Sequence, residues 1–314
     1  MPQPAVLFLV GPTGSGKSAL AVRLAKKING EIISCDSMLV YKQMNIGTAK
    51  LSMKERQGVK HHLISIISPH ETFSVNDFRK RALRAITEIT NRGRVPIVAG
   101  GSGLYVRSLI HGLAEQPKGG EAVHQQLSDD LKRKGLGELY GQLQKIDPIR
   151  ADEILPGDER RILRALEIFY LTKQRPSQWR RKRESLKDLG YRWVIFGLDP
   201  DRGELYEKIN ARVLAMMKKG FLAEVKRLSK GRLSQTALQA IGYHEMLAYL
   251  KGQLVLKSAI ERTQQRTRQL AKKQWIWFRK EKGLQWIALK GNSPLSDAEK
   301  KIIREWQQKK ENVK

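Results

Sequence analysis

Residues 5–18 read AVLFLVGPTGSGKS: an unbroken apolar run of strand length ends in a glycine-rich turn, and SALAVRLAKKI follows with amphipathic helix spacing. Gly11, Pro12, Thr13, Gly14, Ser15, Gly16, Lys17 and Ser18 satisfy G-x-x-x-x-G-K-[ST] in the strand, loop and helix context that this phosphate-binding pattern, the P-loop, requires. Glycines there let successive N–H groups converge on phosphate oxygens, and the helix start adds the positive end of its dipole. Lys17 brings a full positive charge. Ser18 is the expected oxygen ligand of a magnesium ion (Mg2+) bridging two phosphates, because magnesium takes few protein oxygens and shares the rest with phosphate and water. The motif does not specify the phosphate compound, since ATP, GTP and other diphosphates satisfy the same cradle.

Outward from this stretch, EIISC at 31–35, VPIVAG at 95–100, YRWVIFGL at 191–198 and LQWIAL at 284–289 read as strands. Helical patterns fill 75–91, 205–228, 236–250 and 259–279. Such alternation predicts an α/β fold with a P-loop NTPase-like parallel sheet flanked by helices. From about 116 to 185 the apolar runs disappear, and charged segments such as HQQLSDDLKRKG and DERRILRALEIFYLTK take over, which predicts an inserted all-helical subdomain. The expected organisation is therefore a core from 1–115 and 186–289, an insertion at 116–185, and a charged tail at 290–314, helical or frayed, with no assigned function.

Lys and Arg number 59 against 31 Asp and Glu, a formal charge of +28 that works against a compact soluble fold unless a polyanion uses it. Nucleic acid is the leading candidate. Anionic membrane is the rival, but no apolar run approaches the roughly 18 residues of a span and no signal-peptide pattern is present, so the expectation is a cytoplasmic protein with no membrane association. Cys35 is the only cysteine, which excludes an intramolecular disulfide and a Cys-based zinc site and points to a buried structural thiol. His61 and His62 lack the further ligands of a zinc site and read as structural or as loop contacts.

After the second strand comes Asp36-Ser37-Met38-Leu39-Val40-Tyr41. A carboxylate at a strand end beside the phosphate loop lies where ligands bind in open α/β sheets. It could hold magnesium or act as a general base, and spacing does not choose between them. Here the strings GPTGSGKS, DSMLVYKQMNIGTAK, HHLISIISPHETFSVNDFR, PIVAGGSGLYVRSLIHGL, RRILRALEI, QAIGYHEML and TRQLAKKQWIWFR, in this order from about Val6 to Arg279, resemble the motif series of tRNA dimethylallyltransferases.

The resemblance implies that the loop holds dimethylallyl diphosphate rather than ATP, and that the acceptor is the exocyclic amine of the adenine at tRNA position 37, reached by base flipping. It implies Asp36 as general base, with Lys17, Thr13 and Arg212 on the diphosphate. Contacts to tRNA are implied at Asp36, Ser37, Met38 and Leu39; at Ser102, where Thr is usual; and at Arg160, Arg161, Ile162, Leu163 and Arg164. Gln239, Gly242, Tyr243, His244, Lys272 and Lys273 complete the set. His124 stands where an arginine is usual, His244 where Lys or Arg follows the GY pair, and Lys273 and Ile276 replace Arg and Thr. The basic stretch RPSQWRRKRES at 175–185 interleaves cations with an aromatic residue and is a further candidate RNA contact. Trp275 and Phe278 fall at helical spacing and are expected in the core. A monomer is the expected state.

Overall fold

The computed structural model describes residues 3–113, 117, 120–179, 184–289 and 295–311. Two compact units divide the chain: residues 1–110 with 186–314, and residues 111–185.

The first unit is built on a parallel sheet of β1 (Ala5–Val10), β2 (Gly30–Ser34), β3 (His61–His62), β4 (Val95–Gly100), β5 (Arg192–Pro200) and β6 (Gln285–Leu289), in the order β3-β2-β4-β1-β5-β6. β1 lies inside the sheet, and from Val6 to Val10 its side chains are fully buried, as a run with no polar alternation requires. Val6, Phe8 and Val10 face one layer, where Phe78, Ala82 and Ile86 of the Val75–Asn91 helix pack. Leu7 and Leu9 face the other, filled by Leu20 and Leu24 of the Lys17–Lys27 helix. Ser74 starts the 75–91 helix with a capping box: its hydroxyl accepts from the Asp77 amide while the Asp77 carboxylate accepts from the Ser74 amide.

Four sequence expectations need revision in detail. β3 was not expected: two residues carry no readable period. They are held by pairing Ile32 with His61 and by the bond of His62 Nε2 to the buried Glu31, which also receives Arg92 and Arg94. The single helix expected at 205–228 is two, Arg202–Lys218 and Phe221–Leu228. The one expected at 236–250 is also two, Gln235–Leu238 and Tyr243–Leu250, because Gly242 has φ 92 and breaks the helical path. The charged tail is not frayed: Leu295–Glu311 is a helix belonging to the first unit, with Ala298, Ile302 and Trp306 buried on the layer of Leu20 and Leu24. Its Glu299 accepts from Arg23 at 2.5 Å.

The described elements of the second unit are helices: Glu121–Ile146, broken by a kink at Gly135 (φ 79, ψ 166), Pro148–Asp152 and Glu159–Thr172. Leu127, Leu139, Leu143, Ile154, Ile162 and Leu166 form its own core. The bounds 111–185 lie within five residues of the insertion expected at 116–185.

The packed tail makes a prediction. Ile302→Ala, at a fully buried position, should lower the stability of the first unit by about 2–5 kcal/mol in urea unfolding, as truncation of a buried aliphatic side chain does. An unchanged midpoint would mean that the tail does not pack in solution.

Candidate active site

Parallel pairing sets β2, β4 and β1 side by side, so that the segments following their C-terminal ends are neighbours. Cys35-Asp36-Ser37 leaves β2, Gly101-Ser102 leaves β4 and Gly11–Ser18 leaves β1. The first two are stitched by short bonds. The Cys35 amide donates to the Ala99 carbonyl at 2.8 Å, the Ser102 amide to the Cys35 carbonyl at 3.2 Å, and the Ser37 amide to Ser102 Oγ at 3.3 Å. Asp36 Oδ1 accepts from the Met38 amide at 2.8 Å, which orients one carboxylate oxygen along its own loop. Cys35 is buried beneath this junction, and burial with the neighbouring Asp36 pushes its thiol up, leaving a neutral packing group.

In the Gly11–Ser18 loop, Lys17 Nζ donates to the Pro12 carbonyl at 2.6 Å and approaches Ser15 Oγ at 3.4 Å. Desolvation lowers the Lys17 ammonium to about 7; the Asp36 carboxylate opposes that shift and the Arg212 charge adds to it. Arg212, on the Arg202–Lys218 helix, donates from Nη2 to Thr13 Oγ1 at 2.9 Å, and its buried Nε has no partner among the described residues. Burial lowers its guanidinium from the usual value and Asp36 opposes this. The centre is thus a pair of cations short of counter-charge, facing one carboxylate and a loop of backbone amides. It can take up a polyanion and can offer a base beside it.

No group of three His, Cys, Asp or Glu side chains suited to a metal occurs among the described residues. The available donors are the exposed hydroxyl of Ser18 and the carboxylate of Asp36. This hard, sparse oxygen set suits magnesium shared with phosphate.

The family described as IPP transferase matches residues 39–281. The tRNA dimethylallyltransferase of Carboxydothermus hydrogenoformans is 46% identical over 303 residues, 96% of each chain. The chain belongs to the IPP transferase family. The tRNA dimethylallyltransferase of Staphylococcus aureus (strain JH9) is 41% identical, over 91% of this chain and 93% of that one. The crystal structure of full-length tRNA isopentenylpyrophosphate transferase from Bacillus halodurans superposes with a TM-score of 0.74 at 38% identity, covering 99% and 98% of the two chains. A eukaryotic dimethylallyltransferase captured acting on tRNA superposes with a TM-score of 0.78 at 32% identity, covering 91% of this chain and 74% of that chain.

Within this IPP transferase, Ser37, Met38, Leu39 and Ser102 surround Asp36 with partly exposed side chains. Gln239, His244, Lys272 and Lys273 are exposed. Tyr243 has its ring fully buried against Phe221 and its hydroxyl donates to Glu224, so its side chain serves the core. Gly242 is buried as well. Ile162 is likewise fully buried, in the helical unit's core, with Leu163 half-buried beside it. Arg160 and Arg161 are exposed, whereas Arg164 donates to Glu167 at 2.9 Å. His124 meets the same Glu167 through Nδ1 at 2.5 Å while two-thirds of its side chain stays exposed. Trp275 and Phe278 are core, as their spacing suggested, with the indole of Trp275 donating to Asp199 at 2.8 Å. Residues 180–183 of the basic stretch fall outside the described residues.

Two residues escaped sequence reasoning. Glu224 is buried and its carboxylate accepts the amides of Asn45, Ile46 and Gly47, which anchors the loop that continues from Asp36. Gln274 bonds the amide of Thr13. The signal for Gln274 was its helical spacing, three residues after buried Ala271 and four before Phe278, which turns it inward while Lys272 and Lys273 face out.

The depressed Lys17 predicts proton uptake. At pH 8 the free site holds Lys17 largely neutral, and a bound diphosphate draws the proton back; at pH 6 the proton is already present. Calorimetry of diphosphate binding in buffers of different ionisation enthalpy should show wild type taking up about one proton more than Lys17→Met at pH 8, with the difference vanishing toward pH 6. A difference that is flat with pH would refute the shift.

Proposed function

We propose that the chain transfers a dimethylallyl group from dimethylallyl diphosphate to the exocyclic amine of adenosine at tRNA position 37 and releases diphosphate. The observation that carries this reading is the meeting, at the ends of β1 and β2 on either side of β4, of an amide loop with two under-compensated cations and a carboxylate. Family membership supplies the substrate class.

The bond that breaks joins the allylic carbon to the diphosphate oxygen, and the bond that forms joins that carbon to the adenine nitrogen. Negative charge grows on the leaving diphosphate. Lys17, Arg212 and the amides of the Gly11–Ser18 loop are fixed where that charge appears, at no cost of reorganisation during the reaction. Ser18 would hold the magnesium ion, which neutralises diphosphate charge when bound. The adenine amine is a weak nucleophile, and Asp36 accepts the proton it loses as it attacks. Oδ1 of Asp36 is bonded to the Met38 amide, which leaves Oδ2 for that proton. A stacked adenine offers no path for such an attack, so the base is flipped toward the Asp36–Leu39 segment.

For the RNA, the first unit offers exposed Gln239, His244, Lys272 and Lys273, and the helical unit offers Arg160 and Arg161. With a net charge of +28, affinity for tRNA rests on phosphate contacts and weakens with salt. No described helix is long and apolar enough to cross a membrane, and the reading places the chain with its tRNA in the cytoplasm.

The test is an incubation of the chain with magnesium, an unmodified tRNA transcript carrying adenosine at positions 36 and 37, and either dimethylallyl diphosphate or ATP, followed by digestion and nucleoside mass analysis. The expected result is prenyl addition to the position 37 adenosine, reduced by about 10²–10⁴-fold in Asp36→Ala. ATP turnover without a prenyl product would replace this reading with a kinase.

A further inference from the structure

Gln274 plays no part in the chemistry above, yet both ends of its carboxamide are bonded. Oε1 accepts from the Thr13 amide at 2.7 Å, and Nε2 donates to the Gly101 carbonyl at 3.1 Å. A carboxamide has one acceptor end and one donor end, so this pairing fixes its orientation, and no other side chain of similar length supplies both. The two backbone groups lie in different loops. Thr13 belongs to the phosphate cradle and is held a second time through Arg212. Gly101 precedes Ser102, whose Oγ receives the amide of Ser37 beside Asp36. One amide therefore bridges the loop that grips the leaving group and the turn that supports the base.

The glycine at 101 is part of the device. A Cβ there would stand 2.2 Å from Gln274 Nε2, so the missing side chain is what admits the amide. Thr13 in turn gives its N–H to Gln274 rather than to phosphate, which leaves the cradle amides to the residues after it.

We propose that Gln274 is a positioning residue for prenyl transfer: its amide sets the spacing between the diphosphate-holding loop and the Asp36 loop. The inference rests on the reading of function given above. Each loop keeps its own contacts without Gln274, so each substrate alone still binds. What is lost is the alignment of the allylic carbon with the amine, and a misplacement of about 1 Å slows such a reaction by roughly 10²-fold.

The experiment uses the full chain as Gln274→Met, Gln274→Glu and Gly101→Ala, whose added methyl group displaces the amide. Inorganic diphosphate with magnesium and unmodified tRNA are titrated separately, the transfer rate is read in a single turnover, and amide hydrogen exchange is followed at 12–14 and 100–103. The expected result is dissociation constants within about threefold of wild type, a single-turnover rate about 10- to 100-fold lower for Gln274→Met and Gly101→Ala, and faster exchange in both loops. Gln274→Glu keeps an oxygen for Thr13 but sets a carboxylate oxygen against the Gly101 carbonyl, so it should speed exchange most at 100–103. Wild-type turnover in Gln274→Met, or a loss that follows weakened binding of either ligand, would overturn the proposal. A wild-type chain that transfers no prenyl group defeats the functional reading, whereas unaltered exchange at both loops in Gln274→Met defeats this inference alone.

Discussion

Parallel pairing of β4 with β1 on one side and β2 on the other, Val10 opposite Gly100 and Ser34 opposite Ala99, is the constraint from which the site follows. Strands that run the same way in register end at the same level, so three loops from distant parts of the sequence start side by side, those after β2 and β1 flanking the one after β4. The chain approaches closely at that level: a Cβ on Gly100 would stand 2.0 Å from the Cys35 carbonyl. Packing on both faces holds the register. A slip of one residue would turn Phe8 and Val10 away from the 75–91 helix and Leu7 and Leu9 away from the 17–27 and 295–311 helices.

Electrostatics then gives that junction its selectivity. Lys17 and Arg212 are drawn out of water beside a single carboxylate, an arrangement unfavourable to the empty protein and relieved by an anion. The buried Nε of Arg212, unpartnered among the described residues, is a local sign of the same imbalance. On the proposed reading a diphosphate donor answers it, and the charge that develops on leaving answers it further. The apolar thiol of Cys35 and the buried Glu224 anchor contribute rigidity behind the reacting groups rather than chemistry.

Much of this was legible in the sequence for identifiable reasons. β1 and the loop after it combine a continuous apolar run with a fixed glycine spacing, and both signals are local. Asp36 followed from its place at a strand end, and the helix 75–91 from its period. Signals that depend on partners far along the chain were not legible. Two-residue β3 exists because Glu31 collects His62, Arg92 and Arg94. The tail read as a charged segment, helical or frayed, because the apolar residues that turn inward, Ala298, Ile302 and Trp306, are spaced among lysines, arginines and acids. Tyr243 and Ile162 sit inside motifs that resemble RNA-binding strings, and burial rather than sequence shows that those positions build the core. The reverse held for Gln274, hidden beside two lysines that draw the eye first.

The account stands most directly on where the two substrates lie. A crystal structure of the chain with magnesium, an unreactive thio analogue of dimethylallyl diphosphate and an anticodon stem-loop carrying adenosine at position 37 would show this. The account predicts the diphosphate within the Gly11–Ser18 loop against Lys17 and Arg212, and the flipped adenine's amine within hydrogen-bond distance of Asp36 Oδ2. A diphosphate seated elsewhere, or an adenine amine out of reach of Asp36, would contradict it.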